Sequence, residues 1–433
     1  MSTTFNPDDT QIAAINACTE MSSRLVAVTG KAGTGKTSII KEVYNRLRDA
    51  GYTVACSAPT GRAAKRITEA TGIPAVTNHR LLGFGMPEEI ETEDRKGNFK
   101  IVKVSTKPKF NKNNPLAYDV VLCDEYAMTN HEINRSIIDA LKPGAGIRMF
   151  GDVNQLRPIE ENKVIAQKPT PFQEALTRFV GIELTTIHRQ QEGSGIAENG
   201  ARILRGAMPV RFPDFDIKFT DSPVDFLKDH ILKLDAEEGI DYQSLDNQII
   251  TCMNKSWIGT QRLNHAMQTL YWDREKPYAD LPRNQWSGEA KNNPPIRVQV
   301  GSKVVYTANT YDLGNEQSAF NGETGIITEL HEDGCVDIDF GDRIVSVPPL
   351  LYMQRNNGDI VELDPRKNID LAYVLTTHKM QGSECKRIIY ILNKSTSYAQ
   401  SRRNAYTAIT RGRNHVTVIT DQISLHRSVK SAE

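Results

Sequence analysis

The chain has 433 residues, with 53 basic and 53 acidic side chains and a formal net charge of zero. That balance excludes a global basic field, so any polyanionic partner must be held by local patches. No apolar run approaches the roughly 18 residues of a membrane span, and the opening MSTTFNPDD lacks the basic and apolar regions of a signal peptide, so no membrane partner and a cytoplasmic location are expected.

Cysteines stand at 18, 56, 123, 252, 335 and 385, never as C-x-x-C. They read as reduced, mostly buried thiols, and a zinc site has little support. Taken in order, Asn6-Pro7-Asp8-Asp9 predicts a helix start with Asn6 at the N-cap, running to about Met21 and carrying Gln11. The apolar run Leu25 to Val28 predicts a strand. It turns through Gly30, Lys31, Ala32, Gly33, Thr34 and Gly35 into Lys36, Thr37 and Ser38, where a helix to about Leu47 begins. This is the G-x-x-x-x-G-K-[ST] pattern of a nucleotide-binding P-loop. Glycines let successive backbone N–H groups curl around a phosphate, and the helix N-terminus adds partial positive charge. Lys36 would reach the β- and γ-phosphates, and Thr37 would ligate Mg²⁺.

A second strand, Thr53 to Ser57, ends in Ala58-Pro59-Thr60-Gly61 and a helix bearing Arg62, Lys65 and Arg66, whose spacing equally suits a solvated face. The βαβ rhythm implies a parallel sheet with loops gathered at the strand C-termini, where ligands bind. Residues 84–114 break that rhythm. Acids crowd Glu88 to Asp94, Lys-Gly-Asn stands at 96–98, and six lysines lie between Lys96 and Lys112. A small β-hairpin is predicted, with a solvated loop as the alternative. The strand Asp119 to Cys123 closes in Asp124-Glu125, the Walker B arrangement. Asp124 would hold Mg²⁺ through water and Glu125 would polarise the attacking water. A further strand, Ile147 to Phe150, ends in Gly151-Asp152, with Gln155 on the following loop.

A second lobe is expected from Gly181, opening with Leu184-Thr-Thr-Ile-His-Arg189. Helices are predicted over Ile196 to Arg205 and Ser256 to Met267, with a strand at Gln248 to Cys252. From Arg297 to Val347, short strands separated by Asn-Gly and Gly-Asp turns read as a small β-barrel insertion. The α/β pattern resumes at Leu371 to Leu375. It continues through Thr376, His378, Lys379 and Gly382, a strand at Arg387 to Leu392, a helix holding Tyr406 to Arg411, and a strand at His415 to Ile419.

These segments together resemble the superfamily 1 helicases of the RecD/Dda-like branch. The likeness is carried by Gln11, GKAGTGKTS (30–38), APTGRAAKRI (58–67), TNHRLL (77–82), DEYA (124–127), GDVNQLRPI (151–159), LTTIHRQ (184–190), TTHKMQGSE (376–384) and YTAITRGR (406–413). The resemblance implies an α/β fold of two RecA-like lobes with parallel sheets: 1–83 with 115–180, and 181–296 with 370–433. It also implies a pin-bearing β-hairpin at 84–114 and an SH3-like barrel at 297–369. It implies a monomer that uses ATP and Mg²⁺, translocates 5′ to 3′ on single-stranded DNA and opens forked DNA, alone or with replication or recombination proteins. By the same resemblance, Gln11 reads adenine, Gln155 senses the γ-phosphate, Arg189 and Arg411 act as arginine fingers, and Gly382 joins the nucleotide contacts. Pro59, Thr60, Thr77, His79, Thr376, His378 and Lys379 fall on strand-contact positions, and Phe99 is one candidate for the hairpin tip. Tyr126-Ala127 departs from the family's usual small residue and Ser, and Arg157 stands where many relatives have Pro. The alternatives are an Upf-like RNA helicase and a strand-stimulated ATPase switch without unwinding. A small-molecule P-loop kinase would leave Gln155, Arg411 and TTHKMQGSE without a role.

Overall fold

The structure is a computed structural model that describes residues 5–85, 88–93, 99–104, 107–160, 162–186, 193–283, 295–310, 312–314, 317–354 and 360–431. For 88–93, 99–104 and 353–354 only the backbone is described. Arg189, the turn at 96–98 and the Phe99 side chain therefore lie outside the described residues. The chain divides into two compact units, one of residues 1–85 and 106–193, the other of 86–105 and 194–433.

The chain enters through a helix, Asp9–Thr19, whose N-cap is Asp8 rather than the expected Asn6. Asp8 accepts the amides of Thr10 and Gln11, and Gln11 returns a bond to the Asp8 amide, so a capping box overrides the earlier Asn-Pro signal. Strands follow as β1 (Leu25–Gly30), β2 (Val54–Ala58), β3 (Ala75–Thr77), β4 (Glu88–Glu93), β5 (Phe99–Val104), β6 (Val120–Cys123), β7 (Gly146–Gly151) and β8 (Val180–Leu184). Six of them form one sheet in the order β3-β2-β6-β7-β1-β8, every pair parallel. Alternate residues go to opposite faces. Val26, Val28, Val120 and Leu122 pack under Ile15, Ile39, Val43 and Ile67 of three helices. Ala27, Val121, Cys123 and Met149 pack on the other side against Ile137 and Phe172. Strands buried on both faces read as continuous apolar runs, which is why they were visible in sequence.

β8 lies beside β1, with Val26 opposite Val180 and Gly30 opposite Leu184. The first unit thus runs to Gly193, past the boundary expected at 180. β8 is a half-exposed edge strand with little apolar pattern, so its sequence reads as a linker. β4 and β5 form an antiparallel pair, Glu88 opposite Val104 and Glu93 opposite Phe99, and are grouped with the second unit.

The second unit has strands β9 (Phe215–Phe219), β10 (Asn247–Thr251), β11 (Tyr278–Leu281), β12 (Ile296–Gln299), β13 (Lys303–Tyr306), β14 (Thr324–Leu330), β15 (Val336–Asp339), β16 (Ile344–Val347), β17 (Leu351–Gln354), β18 (Ile360–Leu363), β19 (Ile369–Leu371), β20 (Val374–Thr376), β21 (Cys385–Ile391) and β22 (Gly412–Thr420). A parallel sheet runs β20-β10-β21-β22-β9. An antiparallel sheet runs β16-β15-β14-β13-β19. Its end strands do not pair among the described residues, so the hydrogen bonding is that of a five-stranded open sheet where an SH3-like barrel was expected. Two ribbons, β11 with β12 and β17 with β18, were not foreseen.

The expected strand Leu371 to Leu375 is split between the two sheets. Buried amides replace the ladder where the chain crosses. Asn264 Nδ2 donates to the carbonyls of Leu371 and Val374 at 3.2 and 2.9 Å, and its Oδ1 accepts the Val374 amide. Gln248 Nε2 donates to Ala372 and Tyr373, both at 3.0 Å. Unsatisfied backbone groups at such a crossing would cost about 1–3 kcal/mol each. The helix expected over 256–267 starts later, at Thr260, and runs to Tyr271. Residues 252–259 form a loop instead. All six cysteines are free, and every one except Cys335 is buried.

Candidate functional site

Parallel strands point their C-termini to one edge, and five segments singled out in sequence leave from that edge of the first sheet. Gly30 ends β1, Ala58 ends β2, Thr77 ends β3, Cys123 ends β6 and Gly151 ends β7. The P-loop lies between β1 and the helix Lys36–Asp49, whose N-cap is Gly35. Gly33 and Gly35 hold φ of 85° and 81°, a region closed to most side chains. A Cβ on Gly30 would sit 2.4 Å from Thr34 Oγ1 and 3.0 Å from Leu184 Cβ, so the loop closes only over glycine. Thr34 is buried and its hydroxyl donates to the Lys31 carbonyl at 3.0 Å. Lys31, Ala32, Thr37 and Ser38 retain accessible surface around it. Lys36 Nζ folds back over the loop, donating to the carbonyls of Gly30 and Lys31 at 2.6 and 3.0 Å. Gln11 braces the cradle from behind. Its Nε2 donates to the Thr34 carbonyl at 3.1 Å while its Oε1 accepts from the Asp8 amide. The structure thus places Gln11 as a buried tie between the first helix and the loop.

Asp124 and Glu125 stand at the end of β6. Burial pushes the Asp124 carboxyl up to about 6, the Glu125 charge adds to the rise, and the Lys36 and Arg66 charges oppose it. Those effects place the Lys36 ammonium within electrostatic reach of Asp124, as a shared phosphate–Mg²⁺ site requires. The sequence left Arg66 open between a functional role and a solvated helix face, and i,i+4 spacing cannot show that its charge reaches the acid at the end of β6. Glu125 has φ 49°, the sole positive φ of a non-glycine among the described residues. It is 8% exposed, and its Oε2 is buried without a hydrogen-bond partner among them. A strained backbone carrying an unsatisfied carboxylate costs stability and persists where the fold holds it for chemistry. Gln155 is buried on the loop after β7, its amide donating to the Asp152 carbonyl at 3.2 Å. Behind Asp124-Glu125, Tyr126 is fully buried with its hydroxyl on Asn134 Oδ1 at 2.7 Å. The Tyr-Ala departure therefore turns its polar contact into the first unit's own core.

The strand-contact residues share one local device. Thr60 Oγ1 accepts the amide of Ala63, and Thr77 Oγ1 that of Arg80, both at 3.2 Å. In the second unit Thr376 Oγ1 accepts the amide of Lys379, also at 3.2 Å. Thr77 and Thr376 end parallel strands, Thr60 follows the end of β2 through Pro59, and each caps the turn that comes next. A hydroxyl that has accepted one bond still has its proton to donate outward. His79 is accessible on one side and leans its ring on Phe84, centroids 5.1 Å apart. Desolvation holds the pKa of His79 and of His378 below the ordinary histidine value. Both are therefore neutral near pH 7, and their ring nitrogens offer polarity without charge. Lys379 is half-buried.

Arg411 is placed differently from a projecting finger. It is 2% exposed, with Nε donating to the Thr407 carbonyl at 3.0 Å, Nη1 to the Ser383 carbonyl at 3.3 Å and Nη2 to Thr410 Oγ1 at 3.2 Å. Gly382 is buried in the adjoining turn.

Comparisons with known proteins agree with this layout. Residues 6–213 match the AAA domain family model, and residues 371–419 match the UvrD-like helicase C-terminal domain. The chain is 29% identical over 393 residues to the ATP-dependent RecD2 DNA helicase of Deinococcus radiodurans, covering 90% of this chain but only 46% of that protein. It is 24% identical over 455 residues to the RecBCD enzyme subunit RecD of Mycolicibacterium smegmatis, covering 95% and 71%. Among solved structures, Bacteroides Pif1 bound to single-stranded DNA superposes with a TM-score of 0.60 at 20% identity, covering 96% of this chain and 92% of that one. Pif1 helicase from Candida albicans gives 0.59 at 18%, covering 99% and 98%. At such identities these likenesses establish the fold.

Proposed function

We propose that the chain is a RecD/Pif1-like superfamily 1 helicase, an ATP-dependent DNA helicase that moves 5′ to 3′ on single-stranded DNA and opens duplexes. One observation carries this reading. The first sheet's edge joins a glycine-built phosphate cradle to the Asp124-Glu125 pair, and the same edge carries the threonine caps Thr60 and Thr77. Nucleotide chemistry and strand contact then share one rigid edge.

In the proposed cycle Lys36 leaves its loop carbonyls for the β- and γ-phosphates, and the amides of residues 33–37 hold the remaining oxygens. Thr37 and Asp124 would hold Mg²⁺, which screens phosphate charge when bound. Glu125 orients and deprotonates the attacking water, which its strained, unsatisfied carboxylate is placed to do. Gln155 reads the γ-phosphate, and Arg189 supplies positive charge to the transition state. Thr60, Thr77 and Thr376, with His79, His378 and Lys379, grip strand phosphates without reading sequence. No helix among the described residues is long and apolar enough to cross a membrane.

The test is an unwinding assay with 5′- and 3′-tailed duplexes, run on the wild type and on Lys36→Ala. Opening of the 5′-tailed duplex alone, lost in the variant, is expected. Unwinding that survives Lys36→Ala, or a preference for 3′ tails, rejects the proposal. ATPase stimulation by poly-dT over poly-U separates DNA from RNA as the strand.

A further inference from the structure

In the second unit the strand contacts named so far lie on one turn, Thr376 to Lys379, at the end of β20. β10 runs parallel beside β20 with Thr251 opposite Thr376, so the loop leaving β10 starts at the same edge. Two bonds tie the segments together. The Thr377 amide donates to the Thr251 carbonyl at 3.0 Å, and Thr251 Oγ1 donates to the Ile258 carbonyl at 2.9 Å. Ile258 is fully buried and anchors the loop, while its neighbour Trp257 is held outward, 56% exposed. Arg262, in the first turn of the helix Thr260–Tyr271, lies over the indole with its guanidinium carbon 3.2 Å from the ring centroid.

Three features mark this pair as more than surface packing. Arg262 forms no ion pair among the described residues, although Asp221 and Asp225 line the same hollow of about 660 Å³. From Met253 to Trp272 the chain has no acidic residue, so nothing on the loop or helix repels a polyanion. The molecule's zero net charge means that strand affinity has to come from such local stretches. An indole with one face open and a cation on the other suits a stacked base with an adjacent phosphate.

We propose that Trp257 and Arg262 form a contact for one nucleotide of a single nucleic-acid strand, the base on the indole and the phosphate on the guanidinium, extending the path that begins at the Thr376–Lys379 turn. This rests on the strand-binding reading given above. The experiment measures binding of a fluorescent dT oligonucleotide by anisotropy across a salt series, for the wild-type chain, Trp257→Ala, Trp257→Phe and Arg262→Ala. Binding of a fluorescent ATP analogue serves as the control for folding. Trp257→Ala is expected to bind the oligonucleotide about 5- to 20-fold more weakly, with Trp257→Phe near wild type, as stacking requires. Arg262→Ala should weaken binding and make the log–log salt slope shallower by about 0.7, the loss of one phosphate contact. Wild-type affinity and slope in Trp257→Ala and Arg262→Ala would leave the pair a structural stack and overturn this inference alone. A Phe variant as weak as the Ala variant, with nucleotide binding intact, also rejects the stacking contact. A wild type that binds no oligonucleotide overturns the strand-binding reading itself, and this inference with it.

Discussion

Two buried sites, the carboxyl edge of the first parallel sheet and the turn that leads into β22 of the second, are built from opposite economies of hydrogen bonding. At the first, Glu125 holds a strained φ and an unpartnered buried oxygen, and Asp124 is forced toward protonation by burial and by Glu125. At the second, Arg411 is equally buried yet gives all three of its guanidinium nitrogens to acceptors of its own unit. The first edge stores unsatisfied groups that only a bound phosphate and its cation relieve, whereas the second site is satisfied as it stands. Chemistry is therefore expected to reside in the first edge, and substitutions at the two should change stability with opposite sign.

The largest effect expected is on catalysis. Glu125→Gln should lower ATP turnover about 10²- to 10⁴-fold, the usual contribution of a positioned general base, while leaving ATP binding intact. Its melting temperature should not fall, since it removes a buried charge that lacks a partner. A strong destabilisation would mean that Glu125 is structural, and the contrast between the two sites would collapse. Next in size is Arg411→Ala, measured by denaturant unfolding. Leaving the Thr407 and Ser383 carbonyls without donors should destabilise the protein by about 2–4 kcal/mol. An Arg411→Ala protein of wild-type stability would break the comparison from the other side.

Asp124→Asn sharpens it through pH. Asp124 has a folded-state pKa raised above its unfolded value of 3.8. Its protonated form is favoured by folding, so that contribution is complete below about pH 3.8 and is lost as pH rises through 6. Above that the ionised carboxylate is a burden on the order of 3 kcal/mol. Asp124→Asn should therefore be more stable than wild type at pH 8 without Mg²⁺, equal to it at pH 4, and inactive at both. Thermal unfolding at the two pH values decides it, and an equal difference at both would remove the electrostatic explanation.

The same contrast explains what sequence could and could not reveal. The first edge was legible because its chemistry is local: Gly30, Gly35, Lys36 and Thr37 are consecutive, and Asp124-Glu125 closes an apolar run. The parallel strands were legible because burial on both faces leaves unbroken apolar stretches. What escaped depended on partners distant in sequence. Asp8, two positions on, took the cap from Asn6 because Gln11 completes the box. β8 lacks an apolar pattern, so only its pairing with β1 shows that the first unit extends past 180. The break between β19 and β20 is made by Asn264 and Gln248, more than 100 residues earlier, and no signal in LAYVL announces it. The satisfied state of Arg411 is likewise set by Ser383, whose carbonyl is invisible to any motif.

One device is common to the carboxyl edges of both sheets, and it supplies the smallest and most discriminating effect. Thr60 follows the end of β2 and Thr376 ends β20, in different sheets, yet each hydroxyl accepts an amide three residues on at 3.2 Å and still carries a proton that a strand phosphate could accept. Replacing either by valine removes the cap and the donor together, so stability should fall by about 1 kcal/mol in each case. Strand affinity should fall with it, by about 3- to 10-fold, the net worth of one ordinary hydrogen bond. Serine restores both functions of the hydroxyl and should return both quantities to wild type. If Thr60→Val loses stability and affinity while Thr376→Val loses stability alone, the strand follows the first edge only, and the likeness of the two caps is one of folding rather than of function. If the two variants lose affinity equally, each sheet holds the strand through the same bond, and a motor that advances by alternating grip has matching contacts on both units.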